Sequence, residues 1–183
     1  MKFQKAIFVL TSVLAVALVS AQGNSAQGKS VVLKPPVNKP MTKAQWQKAY
    51  NDAAKMFDKM NADAIFQVMT PDFKLTMMGQ TLNATQAKAS LKQWFATMKN
   101  LHCSMTITKV DGDANHATIT DNFNNWGMTK PDKKHKSGKL VDKGTEVAEW
   151  VQTKGVWRMK SLTSTNEKMT MDGKPFNPNM GGQ

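Results

Sequence analysis

The sequence predicts an α+β domain in which N-terminal helices cover one face of a mostly antiparallel sheet. Three observations carry that prediction. Apart from a short alternating stretch at Phe73 to Met77, apolar residues recur every three or four positions until about Met98, whereas from Leu101 onward they alternate with polar ones. The helices precede the long run of strands instead of alternating with it, which is the order for helices stacked on one antiparallel sheet. Between a leader-like start and a polar end, the chain has the length of one domain able to bury its own core.

The first 21 residues, MKFQKAIFVLTSVLAVALVSA, read as a secretory signal peptide: two lysines, an apolar stretch, and small residues before a cut after Ala21. No later stretch reaches the roughly 20 apolar residues of a membrane-spanning helix. Export to a periplasmic or extracellular location is therefore expected. Residues 22–41 are rich in Pro, Gly, Ser and Lys and read as a flexible linker, residues 42–173 as the domain, and residues 174–183 as a disordered tail.

Thr42 and Gln45 have capping-box spacing, and Trp46, Tyr50, Ala53, Phe57 and Met60 follow on one helical face. The stretch DAIFQVM suggests a shorter second helix ended by Thr70-Pro71-Asp72. Phe73, Leu75 and Met77 then alternate as a strand, and Gly79-Gln80 turns the chain. Asn83 and Gln86 repeat the capping spacing before a helix carrying Ala87, Leu91, Trp94 and Met98. Asn83-Ala84-Thr85 is also a glycosylation sequon, although Asn83 already serves as a helix cap.

Leu101, Cys103, Met105 and Ile107 alternate with polar residues, and Asp111-Gly112-Asp113 supplies a turn. The next strand, from about His116 to Trp126, puts Ala117, Ile119, Asp121, Phe123 and Asn125 on one face. MTKPDKKHKSGKLVDK reads as a polar loop, after which a hairpin from Gly144 to about Met169 turns at Lys154-Gly155.

This order, with the segments "TPDF" and "EWVQTKGVWRMKSL", resembles the nuclear transport factor 2-like superfamily, in particular its SnoaL-like and ketosteroid-isomerase-like branches. The resemblance covers about residues 42–173. It implies a cone-shaped, strongly bent sheet wrapped around the helices, with a pocket at the wide end. The superfamily contains both enzymes and non-catalytic binding modules, so fold does not settle chemistry. The isomerase pattern places a tyrosine in the first helix, an aspartate base beyond the first strand and a protonated acid on a later strand. Alignment puts Met56 and about Met77 at the first two positions and Glu149 at the third. An epoxide-hydrolase pattern needs a central arginine, and Arg158, the single arginine, faces away from Trp157 and Met159.

Asp121 and Glu149 are therefore the candidate acid-base groups. A two-residue turn at Lys154-Gly155 sets Glu149 opposite Lys160 in water, with Glu146 on the Trp150 face, whereas the family alignment turns Glu149 inward. Tyr50, Trp94, Phe123, Asn125, Trp150 and Met159 are the expected pocket lining, apolar with a few orienting polar groups. The alternative for Asp121 and Asn125 is hydrogen bonding to helix ends or backbone.

The chain carries +12 formally, and loss of the leader lysines Lys2 and Lys5 leaves +10. With almost no arginine, sequence-specific nucleic-acid recognition is not expected, and loose attraction to an anionic surface suits the charge better. The basic loop 130–143 is a further candidate for partner binding. Cys103, alone, reads as a packed thiol, and the methionines as core filler more than copper ligands. The histidines do not come together in this reading, and neither a metal nor a cofactor is expected. The leading expectation is a non-catalytic pocket domain that binds a small apolar molecule or forms a homodimer. The alternatives are an isomerase, lyase or cyclase using Asp121 or Glu149, and an interaction protein acting through its basic loop.

Overall fold

The computed structural model describes residues 39–131 and 136–176. The expected signal peptide, most of the linker, loop residues 132–135 and the end of the tail lie outside the described residues. Among the described residues, three helices, α1 (Lys43–Asp58), α2 (Ala62–Phe66) and α3 (Ala84–Thr97), accompany seven strands. The strands are β1 (Met69–Met77), β2 (Gln80–Asn83), β3 (Met98–Gly112), β4 (His116–Thr129), β5 (Lys139–Thr153), β6 (Val156–Met171) and β7 (Lys174–Pro175). They form one sheet in the order β2-β1-β6-β5-β4-β3, with β7 on β6. Every pairing is antiparallel except β1 with β6.

Both predicted capping boxes form. Thr42 accepts from the Gln45 backbone N–H while the Gln45 side chain accepts from the Thr42 backbone, and Asn83 and Gln86 do the same for α3. Each satisfies two of the donors that a helix start leaves unpaired. The apolar stripe of α1 places Trp46 against Trp150 of β5, at 5.3 Å between ring centroids, and against Trp157 of β6 at 5.2 Å.

The edge strand β3 would expose unpaired backbone groups, and α1 covers them with side chains. Gln47 acts as a piece of strand: its amide nitrogen donates to the Met105 carbonyl at 2.9 Å, and its amide oxygen accepts from the Ile107 N–H at 2.9 Å. Asp58 accepts from the Cys103 N–H at 2.7 Å, and Lys43 donates to the Thr108 carbonyl at 3.1 Å. Edges covered in this way cannot template pairing with another chain.

Several expected boundaries move. The first strand begins at Met69, through Pro71, with its pairing to β6 shifted between Met69 and Lys74. The turn before β2 is Met78-Gly79, both at positive φ. β5 starts at Lys139, inside the stretch that reads as loop, so Lys139 and Lys143 of the basic segment are strand residues. Lys174–Pro175 adds a short strand where the sequence suggests only tail. In the β5–β6 hairpin, Thr153 pairs with Val156 and Trp150 with Met159, but a bulge then inserts Lys160 as an extra residue. Glu149 consequently faces Ser161, not Lys160, and Ala148 faces Leu162.

Candidate functional site

The inner face of β4 and β5 begins as ordinary core and then becomes polar. On β4 the inward residues run Ala117, Ile119, Asp121, Phe123, Asn125; on β5 they run Trp150, Ala148, Glu146, Gly144, Asp142. Register places Asp121 directly opposite Glu146 and Asn125 directly opposite Asp142. Directly opposed residues have Cβ atoms about 5 Å apart, within reach of side-chain contact. Ser164 of β6 faces Glu146, and a bulge brings Glu167 near enough that the Ser164 hydroxyl donates to it at 3.5 Å.

Asp121, Asp142 and Glu146 are fully buried, and Asn125 is 1% exposed. Neither carboxyl oxygen of Asp121 or of Glu146 accepts a hydrogen bond from any described residue, and neither group is in an ion pair with one. A buried carboxylate in that state is expensive, so the proton is retained. Burial raises Asp121 from 3.8 to about 8. Burial, followed by the charges of Asp121, Asp142 and Glu167, pushes Glu146 well above the carboxylate range. Below about pH 8 this face therefore presents carboxylic acids, which donate hydrogen bonds as well as accept them.

Aromatic groups bound the acids. Tyr50 of α1 is 1% exposed, and its hydroxyl oxygen accepts from the Trp150 indole N–H at 3.3 Å. Burial raises the Tyr50 hydroxyl well above its usual range, with Asp121 and Glu146 adding to the shift, so it stays protonated beside them. The Phe123 ring fills the space over Gly144: a Cβ there would meet ring atoms at 2.7 and 2.8 Å. Burial, then Glu146, likewise raises the Cys103 thiol, which makes it a poor nucleophile.

Of the residues singled out in the sequence, Tyr50, Asp121, Phe123, Asn125, Trp150 and Met159 are buried on or against this face. Trp94 is buried elsewhere, in an aromatic cluster with Phe57 at 5.5 Å and Phe95 at 5.6 Å. Glu149 is exposed on the opposite face, where it accepts from the Ser161 hydroxyl at 2.9 Å. Sequence reasoning passed over Glu146 and Asp142 as site residues. The signal was available: Leu140, Asp142, Gly144, Glu146, Ala148 and Trp150 share one parity, and extending β5 back to Leu140 exposes it.

Two surface hollows of about 310 Å³ each lie away from these acids, one lined by Lys59, Asp63, Lys92 and Phe95, the other by Met41, Trp46, Val110 and Ala117. The acids themselves are buried beneath the surface. No group of three or more metal-ligating side chains converges among the described residues.

A sequence-family description of the SnoaL-like domain matches residues 47–164. The chain belongs to the SnoaL-like family. Among solved structures it is similar to a hexachlorocyclohexane dehydrochlorinase (LinA) type 2, with 17% identity and a TM-score of 0.58 over 75% of this chain and 94% of the other. A nuclear transport factor 2-like superfamily protein from Salmonella enterica serovar Typhimurium shares 12% identity, with a TM-score of 0.55 over 77% and 96%. A scytalone dehydratase homologue from Novosphingobium aromaticivorans shares 14%, with a TM-score of 0.54 over 71% and 86%. No curated protein sequence matches the chain significantly. At these identities the likeness shows the fold, the nuclear transport factor 2-like cone expected from the order of elements, and no helix among the described residues is long and apolar enough to cross a membrane.

Proposed function

We propose that this SnoaL-like protein is exported and binds a small, largely apolar molecule on the concave face, through an acceptor group of the ligand that meets Asp121 and Glu146. The observation that carries the reading is the pair of fully buried, opposed carboxyls that no described residue satisfies. An unsatisfied buried polar group costs about 1–3 kcal/mol, and a ligand carbonyl or hydroxyl would remove that cost. Tyr50, Phe123 and Trp150 supply the apolar surroundings. Because both acids are buried, a ligand reaches them only by displacing what covers them, and ligand exchange should be slow.

A second reading is favoured by one specific property. Asp121 held near about 8 exchanges its proton close to neutral pH, which suits acid-base chemistry of the isomerase or lyase kind. Native mass spectrometry of protein purified from its own secretory compartment separates the outcomes. An adduct on the wild type that disappears in Asp121→Asn/Glu146→Gln supports binding at this face. An adduct retained by that variant, or none on the wild type, would sink the reading. Conversion of the recovered molecule by wild type but not by Asp121→Asn would establish the catalytic version.

A further inference from the structure

The outer face of the same sheet carries a cluster of different chemistry. Four of the five tryptophans are at most 2% exposed, whereas Trp126 on β4 is 40% exposed. Its indole stacks on the His102 imidazole across the β3–β4 pairing, with centroids 4.1 Å apart and planes at 28°. The Lys139 ammonium lies 5.5 Å from the indole ring centre. Two residues along the sheet, Lys143 and Lys168 sit directly opposite each other on β5 and β6. Like charges paired across strands repel, and none of the three lysines is in an ion pair with a described residue. Lys139 and Lys143, four residues apart on one strand, bracket the indole over about 13 Å. Beyond the lysines the face continues as a row of hydroxyl and amide side chains paired across four strands, Thr106, Asn122, Thr145 and Thr165.

We infer that this face binds a linear acidic polysaccharide. A sugar ring needs an aromatic surface for its C–H groups, side chains that both donate and accept for its hydroxyls, and cations for its acid groups. All three occur here on one pleated surface. The patch around Trp126 lacks arginine, the residue suited to bidentate phosphate recognition, which disfavours a nucleic acid; Arg158, on the same side of the sheet, pairs with Val151 at the far end of β5 and donates to the Gln67 carbonyl at 2.8 Å. Trp126 is the one large exposed apolar group on it, too little for insertion into a membrane.

Because Trp126 is the single exposed indole, acrylamide quenching of tryptophan fluorescence reports on this face. The full chain is titrated with alginate, with neutral dextran and with single-stranded DNA. Alginate is expected to shield Trp126 and dextran to leave it accessible, with DNA binding much more weakly. Lys143→Gln/Lys168→Gln should weaken alginate binding about tenfold, by loss of two cationic contacts. Trp126→Ala, followed by affinity electrophoresis in alginate gels, should weaken it at least about tenfold through lost apolar contact. Equal shielding by DNA would overturn the inference in favour of nonselective polyanion binding. Shielding that grows with protein concentration in the absence of polysaccharide would overturn it in favour of a homodimer. Absence of shielding by alginate, or unchanged affinity of both variants, would overturn it outright.

Discussion

Titration of Asp121 should make the protein less stable as pH rises through neutrality, the reverse of what surface carboxylates do. The carboxyl moves from 3.8 to about 8 on folding. The folded chain therefore binds the proton more tightly than the unfolded chain, and stability falls wherever the unfolded chain has lost it and the folded chain has not. The stabilising effect is complete below about pH 4, declines by about 1.4 kcal/mol per pH unit, and is exhausted above about pH 8. By pH 7 the loss from this group is on the order of 4 kcal/mol, against a total stability of about 5–15 kcal/mol for a domain. Glu146, also raised, acts in the same direction. Exposed Asp113 is different: its carboxylate, bonded by the Asn115 and His116 backbone N–H groups, is lowered, so its contribution is lost only at acid pH. Urea unfolding followed by tryptophan fluorescence, from about pH 4 to about pH 8, measures the slope. Asp121→Asn keeps the shape without that titration and should lessen the slope, leaving the share of Glu146, and stabilise the protein near neutrality. A wild-type stability that rises across this window, or a slope that Asp121→Asn leaves intact, would refute the reasoning.

Glu149→Gln is the control for position: an exposed group hydrogen-bonded to Ser161 should change stability by no more than about 0.5 kcal/mol in the same urea series. Gln47→Ala removes both side-chain bonds to the β3 edge and should cost about 2 kcal/mol, with faster amide exchange at Ile107. Gly144→Ala drives a methyl group into the Phe123 ring and should destabilise by about 2 kcal/mol. Adding Phe123→Leu should recover part of that loss, as thermal unfolding of the double variant will show.

Much of the helical half was legible because its signals are local. The Thr42/Gln45 and Asn83/Gln86 boxes fix both helix starts within a few residues of chain, and the structure forms both. The errors have physical causes. Pro71 reads as a terminator, yet the strand passes through it where the β1–β6 pairing is shifted, and so the missing N–H is tolerated. The first half of β5 read as loop because its inward positions are Asp142, Gly144 and Glu146 and its outward ones include Lys139 and Lys143. An apolar/polar alternation test fails where the buried face is itself polar, and here that is the candidate site. The Lys160 bulge could not be read from turn length alone, and it set the wrong partner for Glu149.

The claim that the concave face holds protonated acids is tested most directly by carbon-detected NMR titration of the side-chain carboxyls. Asp121→Asn and Glu146→Gln would assign the two resonances. The account predicts that the Asp121 signal remains in its protonated position through neutral pH and moves with a midpoint near 8, with Glu146 also protonated there. Midpoints near the ordinary carboxylate value of about 4 for both groups would contradict it.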